Sequence, residues 1–274
     1  GIDSVFEYAE KLGLDTRKLP RNLSLALGSA SIAPIDVATA YTSFANGGYK
    51  VNPHFIKRIE NRDGEIIYSV SPDTVCPNCI YMPQSPLAGS DTNQPEPDHR
   101  TIADTDISST QVTSTESITT PYPVAQRNMD ERVNYILHTI LQDVIRKGTG
   151  RKALQLERQD IAGKTGTTND QKDAWFSGYS RHLVATTWVG FDQPDTLGRN
   201  EFGSTAALPI WIDFMDTALA DEPPTIRPRP DNLLTVLIDP ETGERARPGD
   251  TDAITEIFRS ELAPEQLSRL TTET

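Results

Sequence analysis

The sequence predicts an α/β fold in which helices flank an antiparallel sheet. Three strand-like segments follow one another closely after residue 160, and short connections between successive strands favour antiparallel pairing. Two helix-like segments bracket these strands in the sequence. Asp130–Lys147 has a continuous apolar stripe, and Leu208–Leu219 carries Trp211, Phe214 and Met215. We therefore expect each helix to cover one face of the sheet.

The first seventy residues predict two helices and a hairpin. Ser4–Leu12 reads as a short helix, and Pro34 fits the first position of a second helix that the glycines after Asn46 end. Val51–Ser69 predicts a β-hairpin that turns at Gly64, because apolar strand-like residues lie on both sides of an Asp-Gly pair.

From about Gln84 to Pro123, within an expected insertion of about residues 72–123, the composition changes to Ser, Thr, Asp, Pro and Gln. Such a segment cannot bury enough apolar surface to offset its ordering entropy. Periodicity resumes afterwards, so we predict a mobile insertion within one domain, with a solvated linker between two domains as the alternative. The core domain is expected to span residues 1–225. An acidic C-terminal extension, 226–274, would follow, with a strand at Leu233–Ile238 and a weak helical pattern near Ile254–Leu262.

The helix Asp130–Lys147 has recognisable ends. Asn128, followed three residues later by Glu131, resembles a capping box, and Gly148 ends the helix. His138 flanks the apolar stripe and is expected to be a packing residue rather than a ligand.

Two cysteines, Cys76 and Cys79, lie in the sequence C-P-N-C. Zinc normally needs four ligands, and a second cysteine pair is absent, so we predict no metal site. A local structural disulfide is the first interpretation, and reduced surface thiols are the alternative.

The charge and hydropathy patterns exclude several classes of partner. The chain has 39 acidic and 26 basic residues, a net charge of -13, and no basic run, which argues against nucleic acid. No apolar stretch approaches the roughly 20 residues that span a membrane. The chain opens without Met or a signal peptide, directly in a helical pattern, so we expect it to begin inside something larger.

The segment Ile161–Asn169 (I-A-G-K-T-G-T-T-N) predicts a strand with polar side chains at its end. Successive side chains of a strand point to opposite faces, so Thr165 and Thr167 project together and Lys164 projects the other way. Gly166 has no side chain, as expected where another backbone comes close. Two hydroxyls, free N–H groups and a cation suit an anionic, peptide-like ligand bound as an added strand. The alternative is a strand ending in a polar turn with a solvated lysine.

Several segments in a fixed order make the pattern more specific. They are Lys164-Thr-Gly-Thr, D-A-W-F-S-G-Y at 173–179, W-V-G-F-D at 188–192, N-L-S-L-A-L-G-S-A at 22–30, A-T-A-Y-T-S-F-A-N-G-G-Y at 38–49 and L-Q-D-V-I-R-K-G-T-G at 141–150. Together they resemble the transpeptidase domain of penicillin-binding proteins over roughly residues 1–220. Within that family they resemble the bifunctional class A enzymes of the 1a type from Gram-negative bacteria.

The resemblance implies a penicilloyl-serine-transferase fold and an activity. That activity is the cross-linking of peptidoglycan stem peptides through an acyl-serine intermediate, which β-lactams inhibit. It also implies an upstream glycosyltransferase domain, an upstream membrane anchor, a location on the periplasmic side of the inner membrane, and no cofactor.

Two of the family's three motifs are missing from this chain. No Lys has a Ser three residues before it, and no Asn has a Ser two residues before it, so both S-x-x-K and S-x-N are absent. In the family both precede the segment that resembles Gly1–Leu14. We therefore expect the C-terminal portion of the domain, with a fold incomplete at its N-terminus and inactive alone because acyl transfer needs the nucleophile.

In a complete site the resemblance gives Lys164 a positive charge and a part in proton relay. The Thr165 and Thr167 hydroxyls would hold the carboxylate of a terminal D-alanine or of a β-lactam. The Thr167 N–H would be an oxyanion-hole donor, and Gly166 would let the substrate backbone approach. Two alternatives remain: a noncatalytic β-lactam or peptidoglycan sensor or scaffold, and a serine β-lactamase, whose deacylating Glu cannot be placed here.

Three aromatic residues follow the Lys-Thr-Gly strand. Trp175, Phe176 and Trp188 are expected to be core residues rather than a substrate platform, and Asp173 a turn or cap residue.

Overall fold

A computed structural model describes residues 1–76, 79–81, 118–120, 122–247 and 249–265. The chain forms two compact units, one of residues 1–51 with 126–274 and the other of residues 52–125. The helices of the described residues are α1 (Ile2–Lys11), α2 (Pro34–Ala45), α3 (Glu131–Arg146) and α4 (Leu208–Ala218). The strands of the same residues are β1 (Arg58–Glu60), β2 (Ile66–Ser69), β3 (Cys79–Tyr81), β4 (Ile118–Thr120), β5 (Ala162–Thr167), β6 (Asp173–Tyr179), β7 (Val184–Gly190), β8 (Leu233–Ile238) and β9 (Ile254–Arg259).

The main sheet has the order β5-β6-β7, and all its pairs are antiparallel, as predicted. Helices cover both faces. On one face, Ala45 of α2 and Leu141 of α3 pack with Ala162 and Tyr179 of the sheet. On the other face, α4 packs against β6 and β7. The sheet is therefore the middle layer of a three-layer unit.

The α4 face contains the larger core. Trp211 and Met215 of α4 are fully buried, and the Trp211 ring meets Phe176 edge-on with centroids 4.9 Å apart. Gly178 allows this contact, because a Cβ there would lie 2.7 Å from Trp211 Cζ2. Burying one such large apolar side chain stabilises the fold by about 1.5–3 kcal/mol. Phe214, by contrast, is 51% exposed.

The N-terminus of α3 differs from the predicted capping box. Asp130 is the N-cap, and its carboxylate accepts a hydrogen bond from Arg132 N at 2.8 Å. The Asn128 side chain instead donates to Lys11 O at 2.7 Å. The prediction from Asn128 and Glu131 was wrong because an adjacent Asp, itself a strong cap, satisfies the first turn.

The weak helical pattern near Ile254–Leu262 was also misread. Ile254–Arg259 is a strand, β9, that pairs antiparallel with β8, with Leu233 opposite Arg259. Its β-branched and aromatic residues favour a strand once a partner strand is available, and a partner cannot be seen in a local window.

The second unit contains the predicted hairpin. β1 and β2 pair antiparallel, and Gly64 in the turn has φ +84°. The Asn61 side chain accepts hydrogen bonds from the backbone N–H groups of Asp63 at 3.0 Å and Glu65 at 2.8 Å. Asp-Gly thus turns the chain where predicted, with Asn61 holding the loop.

The predicted insertion at about 72–123 falls mostly outside the described residues, so its mobility stays a prediction. Its described ends are paired. Thr74 N donates to Pro123 O at 2.7 Å, and Ala125 N donates to Thr74 O at 2.9 Å. β3 and β4 pair in parallel.

Cys76 forms a disulfide. The side chain of Cys79 lies outside the described side chains, so the predicted pairing of the two cysteines stays a prediction. In the described part of the chain, no helix has both the length and the hydropathy to span a membrane. The same residues contain no group of three or more His, Cys, Asp or Glu side chains arranged to hold a metal.

Within the described residues, Arg227 and Glu261 connect the chain after residue 225 to the rest of the first unit. Arg227 donates to Phe44 O and Ala45 O, both at 2.8 Å, and to the Asn134 side chain. Glu261, just after β9, pairs with Arg132 of α3 at 3.0 Å. The predicted end of the core domain near residue 225 stays a prediction.

Candidate functional site

The candidate site is the outer edge of β5. Within the described residues, β5 pairs only with β6, so its other edge is open. Thr168 N donates to Asp173 O at 3.1 Å, so these two residues form a hydrogen-bonded pair. Along an antiparallel ladder, hydrogen-bonded pairs alternate with pairs that are not hydrogen-bonded to each other. Gly166 and Lys164 therefore face β6 with their backbone groups. The backbone N–H and C=O groups of Thr165 and Thr167 point away from β6, towards the open edge.

Lys164 lies on the same sheet face as Ala162 and is exposed. Its ammonium donates to Thr165 O at 2.8 Å. The cation is thus held at the open edge, on a carbonyl that a ligand added as a strand would also use.

The two threonines project from the opposite face of β5, as predicted. Thr165 Oγ1 lies 2.7 Å from Thr149 Oγ1, and either atom could donate. Thr167 Oγ1 accepts a hydrogen bond from Gly203 N at 3.0 Å. Both hydroxyls are therefore fixed by groups from outside the sheet.

Two glycines let the backbone pack closely at this edge. A Cβ at Gly166 would lie 3.1 Å from Trp175 Cβ, which is tighter than ordinary contact. A Cβ at Gly203 would lie 2.4 Å from Trp175 O and 2.6 Å from Gly166 O. Gly203 starts a π-helical turn that leads into α4, so the start of this helix lies directly against the strand. Only a glycine fits there.

The tryptophans beside the strand are not core residues. Trp188 is 38% exposed and Trp175 is half-buried, whereas Phe176 is fully buried. The prediction of core packing was right for Phe176 and wrong for both tryptophans, which project from the face of the sheet opposite Phe176. The two indoles lie 6.1 Å apart. Trp188 Nε1 donates to Asp173 Oδ1 at 2.8 Å, so Asp173 anchors an indole.

A buried polar pair lies behind the strand. His138 Nδ1 is 3.1 Å from the Tyr179 hydroxyl, and His138 is only 6% exposed. Burial, with added effects from Arg227 and Arg146, lowers the pKa of His138 to about 4. Burial also raises the pKa of Tyr179. His138 is therefore a packing residue, as predicted, and is neutral near pH 7.

The strand edge, the order of motifs and the three-layer unit define one class of protein. The sequence model of the family described as "Penicillin binding protein transpeptidase domain" matches residues 7–215. The chain belongs to this family. The α/β penicilloyl-serine-transferase fold predicted from the resemblance is confirmed.

Several similar relatives and a solved structure carry the name penicillin-binding protein 1A. The chain is 46% identical to that protein of Pseudomonas aeruginosa over 276 residues, covering 98% of this chain and 33% of the relative. It is 33% identical to that of Escherichia coli (strain K12) over 289 residues, covering 92% of this chain and 33% of the relative. The solved structure of penicillin-binding protein 1A from Haemophilus influenzae superposes with a TM-score of 0.75 at 28% identity, covering 97% of this chain and 38% of that chain.

These comparisons confirm the predicted resemblance to the 1a type of Gram-negative bacteria. They also show that the chain spans about a third of the length of the curated relatives it matches.

The structure adds two site residues that the sequence did not reveal, Thr149 and Gly203. Thr149 follows a helix C-terminus in Gly148-Thr-Gly150, a pattern typical of a sharp turn and nothing more. Gly203 acts through its backbone N–H, which leaves no signal in a side-chain pattern.

Proposed function

We propose that this chain is part of a D,D-transpeptidase that cross-links peptidoglycan stem peptides through an acyl-serine intermediate and is acylated by β-lactams. The observation that carries the proposal is the open edge of β5. There, the N–H groups of Thr165 and Thr167 point outwards, their hydroxyls are fixed, and the Lys164 ammonium lies beside them.

Each group has a use in binding an acyl-D-alanine end or a penicillin. The ligand adds as a strand along β5, and its amide N–H bonds the Thr165 carbonyl, so the Lys164 ammonium leaves that carbonyl. The released cation then favours the negative charge of the ligand and helps move the proton of the nucleophile. The two threonine hydroxyls donate to the ligand carboxylate.

The acyl transfer itself needs a serine from outside this chain. Its Oγ attacks the scissile carbonyl, and the carbonyl oxygen becomes negative. The Thr167 N–H, already aimed at the edge, stabilises this oxyanion. The scissile C–N bond then breaks, and the serine proton goes to the leaving D-alanine amine. An amine of a second stem peptide next attacks the acyl-serine ester. A new amide bond forms, the ester C–O bond breaks, and the proton of the attacking amine returns to the serine oxygen.

We also propose what the rest of the full-length protein supplies. A preceding segment supplies the S-x-x-K and S-x-N motifs, and an upstream anchor and glycosyltransferase domain place the enzyme on the periplasmic side of the inner membrane. Residues 1–225 belong to the transpeptidase domain.

The test is labelling of the full-length protein with a fluorescent penicillin. Lys164→Gln removes the cation and keeps a polar side chain. We expect its second-order labelling rate to fall by about a hundredfold or more, as for loss of a proton-transfer group. Lys18→Gln is the matched control, since Lys18 is 75% exposed and lies on a 3-10 turn outside the sheet. An unchanged rate in Lys164→Gln would refute the assigned role.

The isolated chain should form no covalent adduct, because it lacks the serine. Intact mass spectrometry after penicillin treatment checks this, with circular dichroism to establish that the chain is folded. An adduct on the folded chain contradicts the proposed fragment. Reversible penicillin binding by the full-length protein, with no adduct, would instead support the noncatalytic sensor or scaffold.

A further inference from the structure

Both hydroxyls of the Lys-Thr-Gly-Thr strand have a hydrogen-bond partner behind them. Thr165 Oγ1 contacts Thr149 Oγ1 at 2.7 Å, and Thr167 Oγ1 accepts from Gly203 N at 3.0 Å. The two partners come from different segments, the turn after α3 and the start of the helix that leads into α4.

A hydroxyl has one proton to donate and two lone pairs to accept with. The Gly203 N–H fills one lone pair of Thr167, so the Thr167 proton remains available to a ligand. The contact between Thr165 and Thr149 shares one proton, and either threonine can supply it. When an anion accepts the proton of Thr165, the proton of Thr149 must complete the contact between the two hydroxyls. The chain of donors then runs from Thr149 to Thr165 to the anion, and each bond polarises the next.

The turn that contains Thr149 is held tightly. Gly148 N donates to Asp143 O at 3.0 Å, and Gly150 N donates to Val144 O at 2.9 Å, so the chain folds back on the last turn of α3. A Cβ at Gly148 would lie 2.9 Å from both Val144 Cα and Val144 O. The turn is therefore fixed against the helix, and it fixes the Thr149 hydroxyl relative to β5.

We propose that Thr149 is a positioning residue that orients the Thr165 hydroxyl towards the carboxylate of the ligand. It parallels the Gly203 N–H, which orients Thr167. This inference rests on the proposed function, because it assigns Thr149 to the recognition of the carboxylate at that same site. Thr149 acts through Thr165 and does not touch the ligand.

The test measures acylation of the full-length protein by benzylpenicillin and by its methyl ester, which lacks the negative charge. Thr149→Val keeps the shape of the side chain and removes the hydroxyl. We expect its acylation rate with benzylpenicillin to fall about tenfold, the effect of one hydrogen bond to a charged partner, and its rate with the ester to change less than about twofold. Thr149→Ser should restore the rate, and the melting temperature should not change.

A double-substituted protein tests whether Thr149 acts through Thr165. Thr165→Val with Thr149→Val should be no slower than Thr165→Val alone, because the second hydroxyl has nothing left to orient. A further loss in the double variant means that Thr149 contacts the ligand directly, and it overturns the positioning role.

The remaining outcomes separate this inference from the proposed function. Equal losses with penicillin and ester, or a normal rate in Thr149→Val, overturn the inference while the function stands. Failure of the unsubstituted protein to form any penicillin adduct overturns both.

Discussion

His138 is a buried group whose protonation opposes folding. Its pKa is lowered to about 4 by burial first, and then by Arg227 and Arg146, while Asp160 acts in the opposite direction. In the unfolded chain it protonates near the reference value of about 6.5. The folded state therefore binds fewer protons than the unfolded state between these values. The associated stability is fully present above about pH 6.5 and is lost as the pH falls towards 4.

This depression of the pKa is worth about 3 kcal/mol of unfolding free energy at pH 7. His138→Gln keeps a polar group that can reach the Tyr179 hydroxyl and removes the titration. Urea unfolding of the protein at about pH 7.5 and about pH 4.5 is the measurement. We expect the loss of unfolding free energy on acidification to be smaller in the variant by about that amount. Equal losses would show that His138 titrates normally in the folded protein.

Single residues of the site differ in how far the sequence predicts them. Lys164 and Thr167 could be predicted because strand alternation and a local motif define their directions. Thr149 could not, because its contact with Thr165 spans fifteen intervening residues and depends on how α3 ends against β5. Trp188 was misassigned because its residue type favours burial, whereas its strand position faces out of the larger core.

At the scale of an element, Arg227 fastens the proline-rich segment after α4 to helix α2. It donates to Phe44 O and Ala45 O, which lie at the C-terminus of α2 where carbonyls have no partner within the helix. A third bond goes to the side chain of Asn134, which is only 1% exposed. Burial lowers the pKa of the Arg227 guanidinium. The three bonds satisfy the cation as well as the carbonyls.

Arg227→Met keeps most of the side-chain volume and removes the donors. It should lower the unfolding free energy by about 2–4 kcal/mol, because buried acceptors lose charged donors. Arg229→Met is the matched control. Arg229 lies two residues further along and is exposed, so we expect a loss below about 1 kcal/mol. Thermal unfolding of both variants checks the difference, and equal losses would show that the α2 carbonyls are satisfied without Arg227.

Elements with strong internal periodicity were predictable, and elements defined by a distant partner were not. The hydrophobic patterns of α3 and of β5 to β7 each lie within one short stretch of sequence, so the sequence predicted these elements correctly. β9 forms a strand by pairing with β8, which lies about twenty residues earlier in the sequence. The sequence of β9 alone does not reveal that partner. The sequence offered both Asn128 and Asp130 as caps of α3. The Asn128 side chain donates instead to Lys11 O at the end of α1, and Asp130 is the cap.

At the scale of the whole chain, the contacts after α4 bear on where the transpeptidase domain ends. Asp160 is 5% exposed, pairs with Arg158 at 2.8 Å and accepts a hydrogen bond from Thr225 N at 3.1 Å. The chain is therefore anchored up to residue 225. Arg227 provides a second anchor, beyond the boundary that composition predicts. A domain cut at residue 225 would keep the first anchor and lose the second.

Two truncations of the full-length protein separate these anchors. One ends at Thr225, and the other ends at Asp231 and keeps Arg227. Both lose β8, β9 and the pair between Arg132 and Glu261, which is partly exposed and contributes little. If residues 226–231 belong to the folded domain, the shorter protein should unfold at a lower temperature, by several degrees for a difference of about 2–4 kcal/mol. Equal melting temperatures would place the boundary at residue 225, since Arg227 would then add nothing to the stability of the layers that hold β5.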